Sequence, residues 1–200
     1  TMKREIAIAK LIDETILKMG AHSHVQMSEG EKAFINEHFE PITVKKGEHV
    51  VNKGEEVLYL YYLEKGNIKL WFPDKENREI TAKFVEEKEF INFFLSHNTH
   101  YAYYNVKALS PCKIWRMEKS KLHDFYNLSF SFNKLARIHL ERSIIHKIER
   151  ENGFHTLSAE ERYKRLLETE RWLLQYFSLK DIASYLGITP QALSNVRKRI

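Results

Sequence analysis

Two hundred residues, 43% hydrophobic and 12% aromatic, supply enough apolar area to offset the chain entropy of folding, which excludes a disordered chain. The length stands at the upper edge of one domain or the lower edge of two. A net charge of +5, with 30% charged residues of both signs, is compatible with a polyanionic partner without requiring one.

Residues 3–19 repeat apolar side chains at Ile6, Ile8, Ile12, Ile16 and Leu17 among Lys, Glu and Asp, which predicts a short amphipathic helix. A second helix is expected to start at Ser28, with Glu31 reaching back in the S-x-x-E arrangement, and to end before Pro41. From Ile42 the period changes. The run ITVKKGEHVVNKGEEVLYLYYLEKGNIKLWF clusters β-branched and aromatic residues between Gly47, Gly54 and Gly66, and further strands are predicted at 78–85, 101–109 and 112–117. Short strands at such regular spacing imply a small barrel or roll.

After Met117 the pattern is helical again. No Gly or Pro interrupts Phe130 to Arg150, and Leu135, Ile138, Leu140, Ile144, Ile145 and Ile148 cover a broad arc, enough to meet the roll and a second subunit as well. Burial within one chain is the other reading of that arc. Asn152-Gly153 is expected to stop the helix and act as a hinge. A helix from Ser158 to about Leu174, capped by Ser158 and Glu161, and two shorter ones complete the chain.

The last segment carries the most information. Ser178 caps one helix with Asp181 completing the box, and Thr189 caps another with Pro190 at its first position. Gly187 sits at the sharp turn between them, Ala183 is small where the helices cross, and Ile182, Leu186, Ile188, Leu193 and Val196 form the seam. Gln191, Ala192, Ser194, Asn195, Arg197, Lys198 and Arg199 remain outward on the second helix. Amides and hydroxyls suit base edges and cations suit phosphates, so the pair is predicted to be a DNA-binding helix-turn-helix. A plain helical hairpin is the bland alternative.

Other chemistries find little support. Cys112 is the only cysteine, so an internal disulfide, a cysteine zinc site and an iron–sulfur cluster are excluded, and a reducing cytoplasm is the expected setting. None of the ten histidines, His22, His24, His139 and His146 among them, falls at a specific metal-ligand spacing. No apolar run reaches the roughly 20 residues of a membrane span, and TMKREIAIAK lacks the apolar stretch of a secretion signal. No nucleophile–base pair, carboxylate pair or phosphate loop supports an enzyme.

With these residues in hand the chain resembles the Crp/Fnr superfamily of transcription regulators, relatives of the cyclic-AMP receptor protein, over nearly its whole length. KGEHVVNKGEEVLYLYYLEKGNIKLWF is similar to the glycine-punctuated strands of the cyclic nucleotide-binding roll, and LGITPQALSNVRKRI is similar in style to the Bacteroidetes subgroup. The resemblance implies an α+β chain in three parts: a cyclic nucleotide-binding-like sensor at 1–129, a dimerisation helix and hinge at 130–153, and a helix-turn-helix domain at 154–200. It implies a homodimer through helix 130–150 on a pseudo-palindromic operator, with RNA polymerase as a further partner. Gln191, Asn195 and Ser194 are the expected base readers, and Thr189, Arg197, Lys198 and Arg199 the expected backbone contacts.

The phosphate-binding segment departs from the family. Asn92 and Phe93 stand where nucleotide binders carry Gly-Glu, and no Arg lies between Arg78 and Arg116. A phosphate without a cationic partner carries a desolvation cost of several kcal/mol, which argues against cyclic AMP bound in the usual way. His97 and His100 are weak substitutes. Phe90, Asn92, Phe93, Tyr101 and Tyr103 are the candidate lining of some other pocket, with Phe94 and Tyr104 nearby, although simple filling of the roll is the favoured reading of these aromatics. No cofactor is predicted, and the effector is unknown. A ligand-binding or protein-interaction module with a non-functional helix-turn-helix remains the alternative.

Overall fold

A computed structural model describes residues 7–18, 25–91 and 101–200. Helix α1 (Ala7–Lys18) and α2 (Glu29–His38) lead the chain. At the start of α2 the Ser28 hydroxyl accepts from the Glu31 amide while the Glu31 carboxylate accepts from the Ser28 amide, the reciprocal box the sequence predicts. Strands follow as β1 (Glu40–Val44), β2 (His49–Val51), β3 (Tyr59–Lys65), β4 (Ile68–Pro73), β5 (Glu79–Val85), β6 (Glu89–Phe90), β7 (Asn105–Ala108) and β8 (Cys112–Glu118).

These form two antiparallel sheets, ordered β1-β8-β3-β6 and β2-β7-β4-β5. The predicted strand over 101–109 is shorter than expected. Tyr101 makes only an isolated bridge to Glu56, and pairing resumes at Asn105. Between the sheets lies an apolar core of Leu63, Ile68, Leu70, Val85, Val106, Cys112 and Ile114. Residues alternate across a pleated strand, so Leu60, Tyr62, Trp115 and Met117 face the other way and meet the helices. Gly66 makes the β3–β4 turn at φ +111°, and a Cβ there would stand 2.6 Å from Cys112 Sγ and 2.8 Å from the Pro111 carbonyl, so only glycine fits.

Helix α3 (Lys119–Leu128) and the long α4 (Phe130–Thr156) close over that second face. Phe125, Phe132, Leu135 and Ala136 are buried there with Ile8, Ile12 and Phe90. Asn152 and Gly153 do not stop α4. Gly153 is buried inside the last turn, and the helix ends where the Leu157 amide donates to the Gly153 carbonyl and Ser158 caps the next helix.

The chain ends with α5 (Ala159–Thr169), α6 (Leu173–Tyr176), α7 (Leu179–Tyr185) and α8 (Pro190–Arg197). The single helix expected from Ser158 to Leu174 is broken at Glu170, whose carboxylate accepts from the Tyr185 hydroxyl at 3.0 Å and meets His146 at 3.2 Å. Tyr163, Leu166, Leu173, Phe177, Ile182, Leu186, Leu193 and Val196 form a third core, and Phe84 of β5 belongs to it. None of the described helices is long and apolar enough to cross a membrane.

Candidate nucleic-acid interface

The geometry of α7 and α8 follows from a few local contacts. The Ser178 hydroxyl accepts from the Asp181 amide at 3.1 Å, and the Thr189 hydroxyl accepts from the Ala192 amide at 3.1 Å, with Pro190 needing no donor. Gly187 turns the chain at φ +68°, in the left-handed region, and the Ile188 amide donates to the Ala183 carbonyl across the turn. Ala183 and Leu193 are fully buried, so the two helices meet on their small and apolar faces.

That leaves the other face of α8 open. Gln191, Asn195, Arg197, Lys198 and Arg199 are exposed, and Ser194 is half-buried. Gln191 Nε2 donates to Asn195 Oδ1 at 3.3 Å, so the two amides share one side of the helix and present a joint donor and acceptor surface. Thr189 is exposed at the N-cap of the helix, its oxygen committed to the Ala192 amide. No described carboxylate forms an ion pair with Arg197, Lys198 or Arg199. Gln191 and Asn195 therefore share one face of α8, Arg197 is exposed in its last turn, and the exposed Lys198 and Arg199 follow directly after it.

Of the candidate pocket residues, Phe90, Tyr101 and Tyr103 are described. Phe90 is buried, edge-on to Tyr62 at 5.0 Å and to His139 at 6.4 Å, where it helps join the roll to α4. Tyr101 and Tyr103 are exposed. Asn92, Phe93, Phe94, His97 and His100 lie outside the described residues, as do His22 and His24. Among the described residues no group of His, Cys, Asp or Glu is arranged to hold a metal ion.

Lys69, Glu79, Arg150 and Tyr185, to which the sequence reading gave no role, connect the C-terminal helices to the roll. Lys69 of β4, its side chain only 4% exposed, places Nζ 2.5 Å from both Glu79 and Asp181. Burial pushes the Glu79 carboxyl up, but hydrogen bonds from Lys69 and Lys107 outweigh it and hold the group below its ordinary value. On α4, Arg150 donates to the carbonyls of Thr81, Ala82 and Tyr185 and stacks against the Tyr185 ring at 4.4 Å. Burial and the Glu170 carboxylate push the Tyr185 hydroxyl up, which keeps it a donor. The Asp181 box predicted from sequence is half formed: the side chain takes a hydrogen bond from Ser178 and spends its other oxygen on Lys69. A buried lysine inside an alternating strand was the available signal, but alternation alone does not reveal a partner 112 residues away.

Comparison with known proteins agrees with this architecture. Residues 41–129 match the family model described as the cyclic nucleotide-binding domain. No curated protein sequence matches the chain. Among solved structures, FixK2 from Bradyrhizobium japonicum superposes with a TM-score of 0.72 at 17% identity, over 80% of this chain and 83% of its own. CLP from Xanthomonas campestris, described as a c-di-GMP responsive global regulator, gives 0.70 at 14% identity, over 86% and 91%. A regulator of the crp/fnr family from Eubacterium rectale gives 0.69 at 14% identity, over 86% and 83%. At such identities the likeness is one of fold: a cyclic nucleotide-binding roll followed by helices in the arrangement of Crp/Fnr regulators.

Proposed function

We propose that this chain is a Crp/Fnr-type transcription regulator that binds duplex DNA through a C-terminal helix-turn-helix formed by α7 and α8. The observation that carries the reading is the pair of exposed amides at Gln191 and Asn195 on one face of α8, with Ser194 in the same helix and three exposed cations at and just past its end. The amides suit base edges in the major groove, and Thr189, Arg197, Lys198 and Arg199 suit the phosphates on either side. Pro190 occupies the helix start, so base preference follows from the amides rather than from an early cationic reader.

The reading includes a homodimer. On α4, Ile144, Ile145 and Ile148 are 56%, 56% and 51% exposed on the side turned away from the roll, a stripe that a second copy of the same helix would cover. Two-fold symmetry then requires a pseudo-palindromic operator with half-sites about one helical turn apart. The sensor works without cyclic AMP bound in the usual way, because the segment carries Asn92 and Phe93 and has no Arg between Arg78 and Arg116. It answers to another small molecule or serves as a scaffold for the dimer.

Selection from random-sequence duplex pools at two salt concentrations, followed by sequencing, tests this. A palindromic motif with affinity falling steeply as salt rises is expected. Retention of no motif at either salt would leave the chain as an interaction module with a silent pair of helices.

A further inference from the structure

The C-terminal helices are seated on the roll as well as joined to α4, and the seat is a sheet edge. Strand β5 ends its sheet, so its outer backbone groups have no neighbouring strand. They are satisfied by helices instead. Ser184 of α7 accepts from the Thr81 amide at 2.9 Å and donates to the Glu79 carbonyl at 3.0 Å, and Arg150 takes the carbonyls of Thr81 and Ala82 at 3.1 and 3.0 Å. Beside this, Phe84 lies 4.1 Å from the Phe177 ring and 5.2 Å from the Tyr185 ring.

The apolar part of this contact is non-directional, and one ring cannot set an orientation. The charges can. Lys69 is enclosed between Glu79 on its own sheet and Asp181 on α7, with Lys107 completing a row of two ammonium and two carboxylate groups. We propose that Lys69, Glu79 and Asp181 form an ionic latch that fixes α7, and with it the reading helix α8, against the sensor roll, and that opening the latch releases the C-terminal helices as one unit.

The network divides cleanly, which suits a device that opens and closes. On separation Lys69 keeps Glu79 and Asp181 keeps Ser178, so each half carries a partnered charge into water and neither strands one in an apolar interior. The closed form alone gives Lys69 its second carboxylate. Arg150 extends the linkage to α4, because one guanidinium spans carbonyls of β5 and of α7, so a shift of α4 along its axis must strain either the roll contact or the helix contact. A signal that moves α4 relative to the roll therefore bears on the latch, provided it favours one state over the other.

The test needs no DNA, so its outcome is separable from that of the regulator reading. Amide exchange by mass spectrometry is followed in the full chain, together with the distance between spin labels at Lys121→Cys on α3 and Lys164→Cys on α5 in a doubly labelled chain diluted into excess unlabelled chain, the buried Cys112 staying unlabelled. In otherwise unaltered protein, a single narrow distance and slow exchange over 179–197 are expected. Lys69→Met should broaden the distance and speed exchange in that segment by about tenfold or more, while β3 and β8 keep their protection. Asp181→Asn, which retains the Ser178 contact and disturbs the roll less, should do the same and stands in for Lys69→Met if that variant fails to fold. A distance distribution and exchange pattern unchanged in Asp181→Asn would overturn the latch.

Discussion

His139 is a buried histidine with the charges of Lys83, Glu89 and Arg142 close by. It is buried on α4 against Phe90, and desolvation, helped by the nearby Lys83 charge, pulls its pKa from 6.5 down to about 4. The folded state therefore refuses a proton that the unfolded chain accepts. Stability is fully present above pH 6.5 and is lost as pH falls toward about 4, by up to about 3 kcal/mol from this group. Denaturant midpoints measured at pH 7.5 and pH 5 should differ more for the native chain than for His139→Leu, and equal differences would remove His139 as the cause. At this scale sequence reading was blind, because a histidine in a helix looks the same whether its face is covered or wet. Gly187 was legible for the opposite reason: a glycine between two capped helices already implies the left-handed turn observed at φ +68°.

Among the elements, α4 serves two surfaces. Phe132, Leu135, Ala136 and His139 are buried against the roll, whereas Ile144, Ile145 and Ile148 point away from it. Replacing Ile145 and Ile148 by Asp places two charges in the proposed dimer seam while leaving the buried face untouched, so the folded chain should sediment as a monomer at concentrations where the native chain is a dimer. A native chain that is itself monomeric would refute the seam. The broad apolar arc of this helix was visible in the periodicity, but its extent was not. The Asn152-Gly153 pair reads as a stop, yet the helix runs to Thr156, with the Phe154 ring of its last turn packed against the guanidinium groups of Arg150 and Arg162. Similarly, the expected helix over 158–174 breaks because Glu170 is drawn to Tyr185, a partner supplied by another element.

For the whole molecule, the proposed dimer and the proposed DNA reading are one proposition, since two copies of α8 joined through α4 would meet a palindrome with the second contact made intramolecular. The Ile145→Asp, Ile148→Asp chain should bind the selected palindrome at least about a hundredfold more weakly than the native dimer while keeping its base preference on a half-site. Titration of labelled duplexes carrying one or two half-sites measures this, and equal affinity for both by the native chain would mean that the two helices do not act together.

The sequence by itself determined most of the elements and their order: the capping boxes at Ser28 and Ser158, the glycine turns, the β period and the C-terminal helical pair are each written within a few residues, because caps, φ angles and periodicity are local physics. Only the tertiary structure decided where those helices sit. Lys69 and Asp181 are 112 residues apart, and each sits in a local pattern that gives it another role, an ordinary strand residue and a cap. Their pairing exists because folding brings the free edge of β5 beside α7 and excludes water from between them, which no window of sequence contains.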